Sequence, residues 1–243
     1  QTPLPVVVFN HGAGSPWGWF MDIVMDLRQF GDDQGFIVVM PKGRNLVWQF
    51  RPGRQVDDLG FLDLVLDEVQ ADYAVDADRI YMMGHSNGGM LTHQYACDRP
   101  GRVAAYGSVG GPLVDPSTCP AVDAETAPFL IMQGTSDPLV PWGGWFGAMS
   151  TPTASDFWRG RNSCAADPAV TEVPDRNGGD GSTVRVHDYD CPAGTDVVVH
   201  EVIGGGHQWF GAGDILPSAL LGNNNHDQVA NEVFWDFFSR FRL

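Results

Sequence analysis

Residues 84 to 88 read Gly84-His85-Ser86-Asn87-Gly88, between an apolar run (Arg79 to Met83) and a segment of helical character (Gly89 to Ala96). A serine at such a turn is held on a strained bend with its hydroxyl clear of the sheet. Glycines two before and two after let the backbone and the following helix approach that closely. Ser86 is therefore the candidate nucleophile. A chain with 30 glycines can produce this pattern by chance, so the rest of the sequence has to supply the partners.

A serine hydroxyl needs a base to take its proton, and the base needs an acid to fix its tautomer and stabilise the imidazolium. In sheets built around such a turn these follow in the order Ser, Asp or Glu, His. Four histidines lie downstream: His187, His200, His207 and His226. His187 and His200 fall within alternating, strand-like segments, where a packed or surface imidazole is the ordinary outcome. His207 follows Gly204-Gly205-Gly206 at the end of the last apolar run, where a loop can hang an imidazole over the nucleophile, and it is the candidate base. His226, beside Asp227 in a polar loop, is the alternative. Among the carboxylates, only Asp137 directly follows a buried run, in Gly134-Thr135-Ser136-Asp137-Pro138, and strand ends are where such sheets place functional groups. Asp137 is the candidate acid, with Asp156, Asp188 and Asp190 as fallbacks. The oxyanion of a tetrahedral intermediate needs two backbone N–H donors. Asn87, next after the nucleophile, is one. The loop His11-Gly12-Ala13-Gly14 after the first strand offers the other, taken as Ala13, with Asn10 and His11 shaping that loop.

The elements that must position these groups follow from periodicity. Pro5 to Phe9, Phe36 to Met40, Val103 to Val109 and Phe129 to Met132 are short apolar runs, as expected of parallel strands buried on both faces. Between them, Phe20 to Phe30 and Val56 to Tyr73 carry apolar residues at helical spacing. Thr153 to Asn162 reads as a short helix, Thr183 to Tyr189 and Val197 to Ile203 as strands, and Gln228 to Phe241 as a closing helix. This alternation predicts an α/β fold, a doubly wound, mostly parallel sheet with helices on both faces, in one domain spanning 1–243. Asp175 to Asp180 hints at calcium but lacks the ligand spacing, and a hairpin turn is the reading preferred.

With 30 acidic against 14 basic residues the formal charge is −16, which disfavours nucleic acid and anionic membranes as partners. No apolar run approaches the roughly 20 residues needed to cross a bilayer. The opening at Gln1 suggests numbering after a removed signal peptide. Four cysteines allow three pairings. Two local pairs stand out, Cys97 with Cys119 and Cys164 with Cys191, and would place the chain in a secreted or periplasmic setting. The alternative is four buried thiols in a cytosolic protein. The histidines lack close pairing and the cysteines lack zinc spacing, so neither a metal nor a cofactor is expected.

Together these residues resemble the secreted esterases related to polyhydroxybutyrate depolymerase and the bacterial feruloyl esterases, within the α/β-hydrolase fold. The landmarks are His11-Gly12, Asp57-Asp58-Leu59-Gly60-Phe61-Leu62, Gly84 to Met90, Gly134 to Pro141, Trp158 with Asn162 and Cys164, and Gly204 to Trp209. The resemblance implies a triad of Ser86, Asp137 and His207, and it supports the two local disulfides. Its members commonly open with an antiparallel strand or two, whereas only Gln1 to Leu4 precede the first apolar run here. The sheet is then trimmed at that edge, or the chain is clipped. The implied activity is hydrolysis of polyesters or aromatic, feruloyl-type esters through an acyl-enzyme, by a monomer acting on an ester substrate that includes polymers. Peptidase or acyltransferase chemistry on the same triad, or a non-catalytic binding module, are the alternatives. Trp209, Trp142 and Trp17 lie in or beside the loops around Ser86 and are the candidate substrate contacts.

Overall fold

The computed structural model describes residues 2–15, 23–51, 53, 55–119, 126–145 and 147–243. Eight strands follow along the chain: β1 (Leu4–Asn10), β2 (Ile37–Val39), β3 (Val75–His85), β4 (Ala105–Val109), β5 (Phe129–Gly134), β6 (Ala169–Val173), β7 (Thr183–Tyr189) and β8 (Val197–Ile203). They form one sheet in the order β2-β1-β3-β4-β5-β8-β7-β6. The first six in that order pair in parallel, and β7 and β6 extend one edge antiparallel. The other edge is β2, so the antiparallel strands of the resemblance do not precede β1 among the described residues.

Alternation along each strand splits the interior in two. Val6 and Val8 of β1 face a core with Met82 and Ile131, and Val7 and Phe9 face the opposite core with Met83 and Met132. The first core is covered by α2 (Asp58–Asp72), α3 (Asn87–Asp98) and α4 (Thr151–Arg161) through Leu59, Leu62, Leu66, Leu91, Tyr95 and Trp158. The second is covered by α1 (Leu27–Gln34) and by α6 (Ala230–Phe238), whose Phe234, Phe237 and Phe238 are buried. A short α5 (Ser218–Leu221) lies in the loop after β8.

Three local outcomes differ from the periodicity. The helix expected over 20–30 is interrupted at Asp26, whose φ of 52° turns the chain before α1 begins, and 16–22 lie outside the described residues. β3 starts at Val75, four residues before its apolar run, because Leu4 and Val6 of β1 provide a ladder for a mostly half-buried stretch. β6 was not visible as an apolar run: it is an exposed edge strand, specified by its pairing to β7.

Both local disulfides are present, Cys97–Cys119 and Cys164–Cys191. The first ties α3 to the loop after β4. The second ties the end of α4 to the segment after β7. No helix among the described residues is long and apolar enough to cross a membrane.

A buried histidine sits inside the first core. Trp158 Nε1 donates to His93 Nδ1 at 2.8 Å, which leaves Nε2–H to donate to Ser108 Oγ at 3.0 Å, and Phe129 stacks on the ring at 4.2 Å. The neutral imidazole is thus built in, and burial pushes its pKa down from 6.5 to about 3. Unfolding releases this residue to take up a proton below pH 6.5, so its contribution to stability is lost as pH falls from 6.5 toward 3. Denaturant titrations are expected to show this as about 1.4 kcal/mol per pH unit. His93→Gln should flatten that part of the pH dependence, and an unchanged slope would contradict the assignment.

Candidate active site

Ser86 ends β3 and caps α3 with φ 55° and ψ −122°, a conformation rarely adopted by a residue with a side chain. Its N–H donates to Val109 O at 2.8 Å and its carbonyl receives Met90 N–H at 3.0 Å, so the turn is fixed from both sides. The flanking glycines are steric necessities. A Cβ on Gly84 would strike the Gly88 carbonyl, and one on Gly88 would strike the backbone of Asn10 and His11. The first turn of α3 therefore rests directly on the end of β1, and the strain at Ser86 is held by packing.

Asn87 opens α3, so its N–H has no carbonyl one turn back to receive it. Its side chain brackets Trp48, accepting Trp48 N–H at 2.7 Å and donating to Trp48 O at 3.3 Å. Trp48 Nε1 in turn donates to His11 O at 2.9 Å. His11 Nδ1–H reaches Gly12 O at 2.8 Å while Nε2 accepts Gly43 N–H at 3.0 Å, a pattern satisfied only by the neutral ring. Burial lowers its pKa accordingly. His11 thus shapes the loop that carries Ala13. Sequence reasoning missed Trp48, which stands in the mixed stretch Leu46-Val47-Trp48-Gln49-Phe50 with no periodicity to single it out.

Asp137 and His207 meet at 2.6 Å, Oδ2 to Nδ1, with both side chains almost wholly buried. The carboxylate is saturated. Oδ1 accepts the N–H groups of Leu139 and Val140, each at 2.8 Å, and Oδ2 also accepts Gln133 Nε2 at 2.9 Å. The His207 ring lies against Gly110, whose φ of 63° and missing side chain leave room for it: a Cβ there would sit 3.0 Å from Cε1 and Nδ1. On another side is His85, fully buried, with ring centroids 4.7 Å apart. Burial, and then the charge His207 would carry, push the His85 pKa well down, so it stands as a neutral neighbour.

Ser86, His207 and His85 line one cavity of about 350 Å³ together with Gly12, Ala13, Gly14 and Ser15 and the apolar side chains of Leu139, Ile215, Leu216 and Leu221. No hydrogen bond joins Ser86 Oγ to His207 among the described residues; such contacts commonly tighten only when substrate is bound. The structure thus brings together Ser86, Asp137, His207, Asn87 and Ala13.

The expectation is corrected for Trp209 and Trp142. Trp209 is fully buried, donates to Asn231 Oδ1 at 2.9 Å and packs on Phe9 and Phe234; it supports the second core and does not line the cavity. Trp142 packs against the first core and accepts Thr151 N–H, also away from the cavity walls. Trp17 lies outside the described residues. Nor do the alternatives converge on Ser86. His187 pairs with Glu201, His200 with Gln228, Asp156 with Arg159, Asp188 and Asp190 line a different surface recess, and the His226 N–H caps Asp180. In the glycine-rich loop the carboxylates of Asp180 and Asp227 are filled by N–H donors from Ser182, His226, Arg176 and Asn177, and no group of metal-ligating side chains occurs among the described residues.

The profile of the α/β hydrolase fold family matches residues 5–126, half of the chain. The chain belongs to the α/β-hydrolase fold family. Among curated relatives, it is 31% identical over 207 residues to feruloyl esterase D of Neurospora crassa, covering 84% of this chain and 62% of that protein. It is 26% identical over 202 residues to the probable feruloyl esterase C of Aspergillus niger, covering 83% of this chain and 64% of that protein. The chain therefore spans less than two thirds of the length of these relatives. Among solved structures, an acetyl xylan esterase from Aspergillus awamori superposes with a TM-score of 0.67 over 98% of this chain and 90% of its own, at 12% identity, which speaks for the fold.

The close packing of α3 on β1 gives a direct test. Gly88→Ala is expected to lower thermal stability by about 1–3 kcal/mol or more, because the added methyl meets backbone that has no rotamer to escape into. A melting temperature within a degree or so of the parent's would show that the approach is not tight.

Proposed function

We propose that this chain, acting as one domain over 1–243, is a secreted serine carboxylesterase that cleaves esters through an acyl-enzyme. The observation that carries the proposal is the 2.6 Å Asp137–His207 hydrogen bond, buried beside a strained serine that lines the same cavity. Esterase names among the relatives, at the similarities given above, support the reaction class. The two disulfides support an oxidising compartment and hence secretion.

In the proposed reaction, Ser86 Oγ attacks the ester carbonyl as its proton passes to His207 Nε2. Asp137 holds the imidazole with Nδ1–H toward the carboxylate, so that Nε2 is the basic nitrogen, and it stabilises the imidazolium. The C–O π pair moves onto oxygen, where the N–H groups of Asn87 and Ala13 receive it. Collapse expels the alcohol, which takes the proton from Nε2. Water then repeats the sequence in reverse, releasing the acid and restoring Ser86. The apolar wall of Leu139, Ile215, Leu216 and Leu221 offers an uncharged surface to the substrate, which favours neutral aliphatic or aromatic esters. Feruloyl-type esters and polyesters are the substrate classes proposed, the former by likeness to the relatives' names.

Ser86→Ala is expected to abolish release of p-nitrophenol from p-nitrophenyl acetate, leaving at most about a thousandth of the parent rate. Retained turnover would overturn the nucleophile. Methyl ferulate, a polyhydroxybutyrate suspension and an aromatic polyester film, assayed in parallel, rank the substrate classes.

A further inference from the structure

Gln133, next to last in β5 and its one polar side chain, is 1% exposed and is used by no step of the reaction above. Its single amide nitrogen donates twice, to Asp137 Oδ2 and to Val140 O, each at 2.9 Å. Its carbonyl oxygen is buried without a partner. The opposite orientation would set that oxygen against the Asp137 carboxylate and the Val140 carbonyl, two acceptors, so the amide is locked in its donating sense. A buried amide that leaves its own acceptor unsatisfied is held there by what its donor does.

We propose that Gln133 is a positioning residue for His207, acting through Asp137. This rests on the esterase assignment above. The amide hydrogens fix the Asp137 carboxylate and the Val140 turn as one unit, which aims Oδ2 at Nδ1. They also place the positive end of a dipole on the same oxygen that holds His207, and so weaken the pull of the carboxylate on a proton at the imidazole. The titratable groups facing His207 among the described residues are Asp137, from the loop after β5, and His85, from the end of β3; Asp137 is otherwise faced by amides. Removing the Gln133 donor leaves more negative charge facing an imidazolium. The neutral, basic form of His207 then dominates only at higher pH.

The test uses the full chain with Gln133→Met, which keeps length and loses the donor, and Gln133→Leu, which loses the donor in a smaller apolar side chain. With p-nitrophenyl acetate, Gln133→Met is expected to lower kcat roughly tenfold with KM within about twofold. The acidic limb of kcat/KM should move up by about half a pH unit in both variants. Proton NMR of the hydrogen shared by His207 and Asp137 follows the same midpoint without any ester. If the parent hydrolyses esters and both variants keep its kcat and acidic limb, with only melting temperature lowered, Gln133 is packing and the inference is overturned. If Gln133→Met does not fold, the smaller Gln133→Leu decides by the same limb. If the parent hydrolyses no ester, the function proposal fails, and the NMR midpoint alone decides Gln133.

Discussion

The close backbone contact between β1, β3 and the first turn of α3 is the constraint on which the rest of the site depends. A helix normally stands off a sheet by the thickness of a side-chain layer. Here Gly84 and Gly88 remove that layer, so that the start of α3 touches the end of β1. Ser86 is consequently forced to a φ of 55° and lifted above the sheet edge. The same contact brings the loop of Gly12 and Ala13 alongside the start of the helix. Ser86 and the Gly12–Ala13 loop are therefore placed by one packing event, and the strain at Ser86 is held by the two buried cores.

The second half of the site answers a different problem, that of burying a carboxylate with every lone pair engaged. Burying an ionised carboxylate is costly unless its lone pairs are filled. Asp137 meets this with two backbone N–H groups on one oxygen and an amide and an imidazole on the other. Every donor but His207 comes from β5 and the loop it leads into, a rigid local unit. The long-range partner arrives from 70 residues away and only has to meet an acceptor that is already fixed. Precision at His207 thus derives from β5 more than from the glycine-rich loop that carries it.

Much of this was legible from residue order. Buried apolar runs marked β1, β4, β5 and β8, and the turn chemistry at Ser86, Asp137 and His207 singled out the residues that converge. What escaped has physical reasons. β6 is an edge strand whose side chains are largely solvated, so no burial pattern marks it. Asp26 turns the chain through a left-handed conformation that apolar spacing does not encode. Trp209 stands two residues after the candidate base, and sequence proximity suggested substrate contact. Yet β8 has ended at Ile203, the chain bends through the irregular stretch that follows, and the Trp209 indole lies in the far core between Phe9 and Phe234. Gln133 left one signal, the one polar side chain of an apolar strand, and only the geometry reveals that its donors converge on Asp137.

The histidines show why residue type alone is a poor guide to a site and environment a good one. Of seven in the chain, His11, His85, His93 and His200 are driven toward the neutral form by burial, and His11, His93 and His200 have a ring nitrogen engaged by a fixed partner. These rings serve as rigid hydrogen-bonding wedges. His207 alone combines a carboxylate on Nδ1 with a second nitrogen left for the cavity that Ser86 lines. Among the described buried imidazoles only this ring is hydrogen-bonded to a carboxylate and also borders the cavity with Ser86, whereas His11, His93 and His200 are held by neutral partners and His85 has no carboxylate on it.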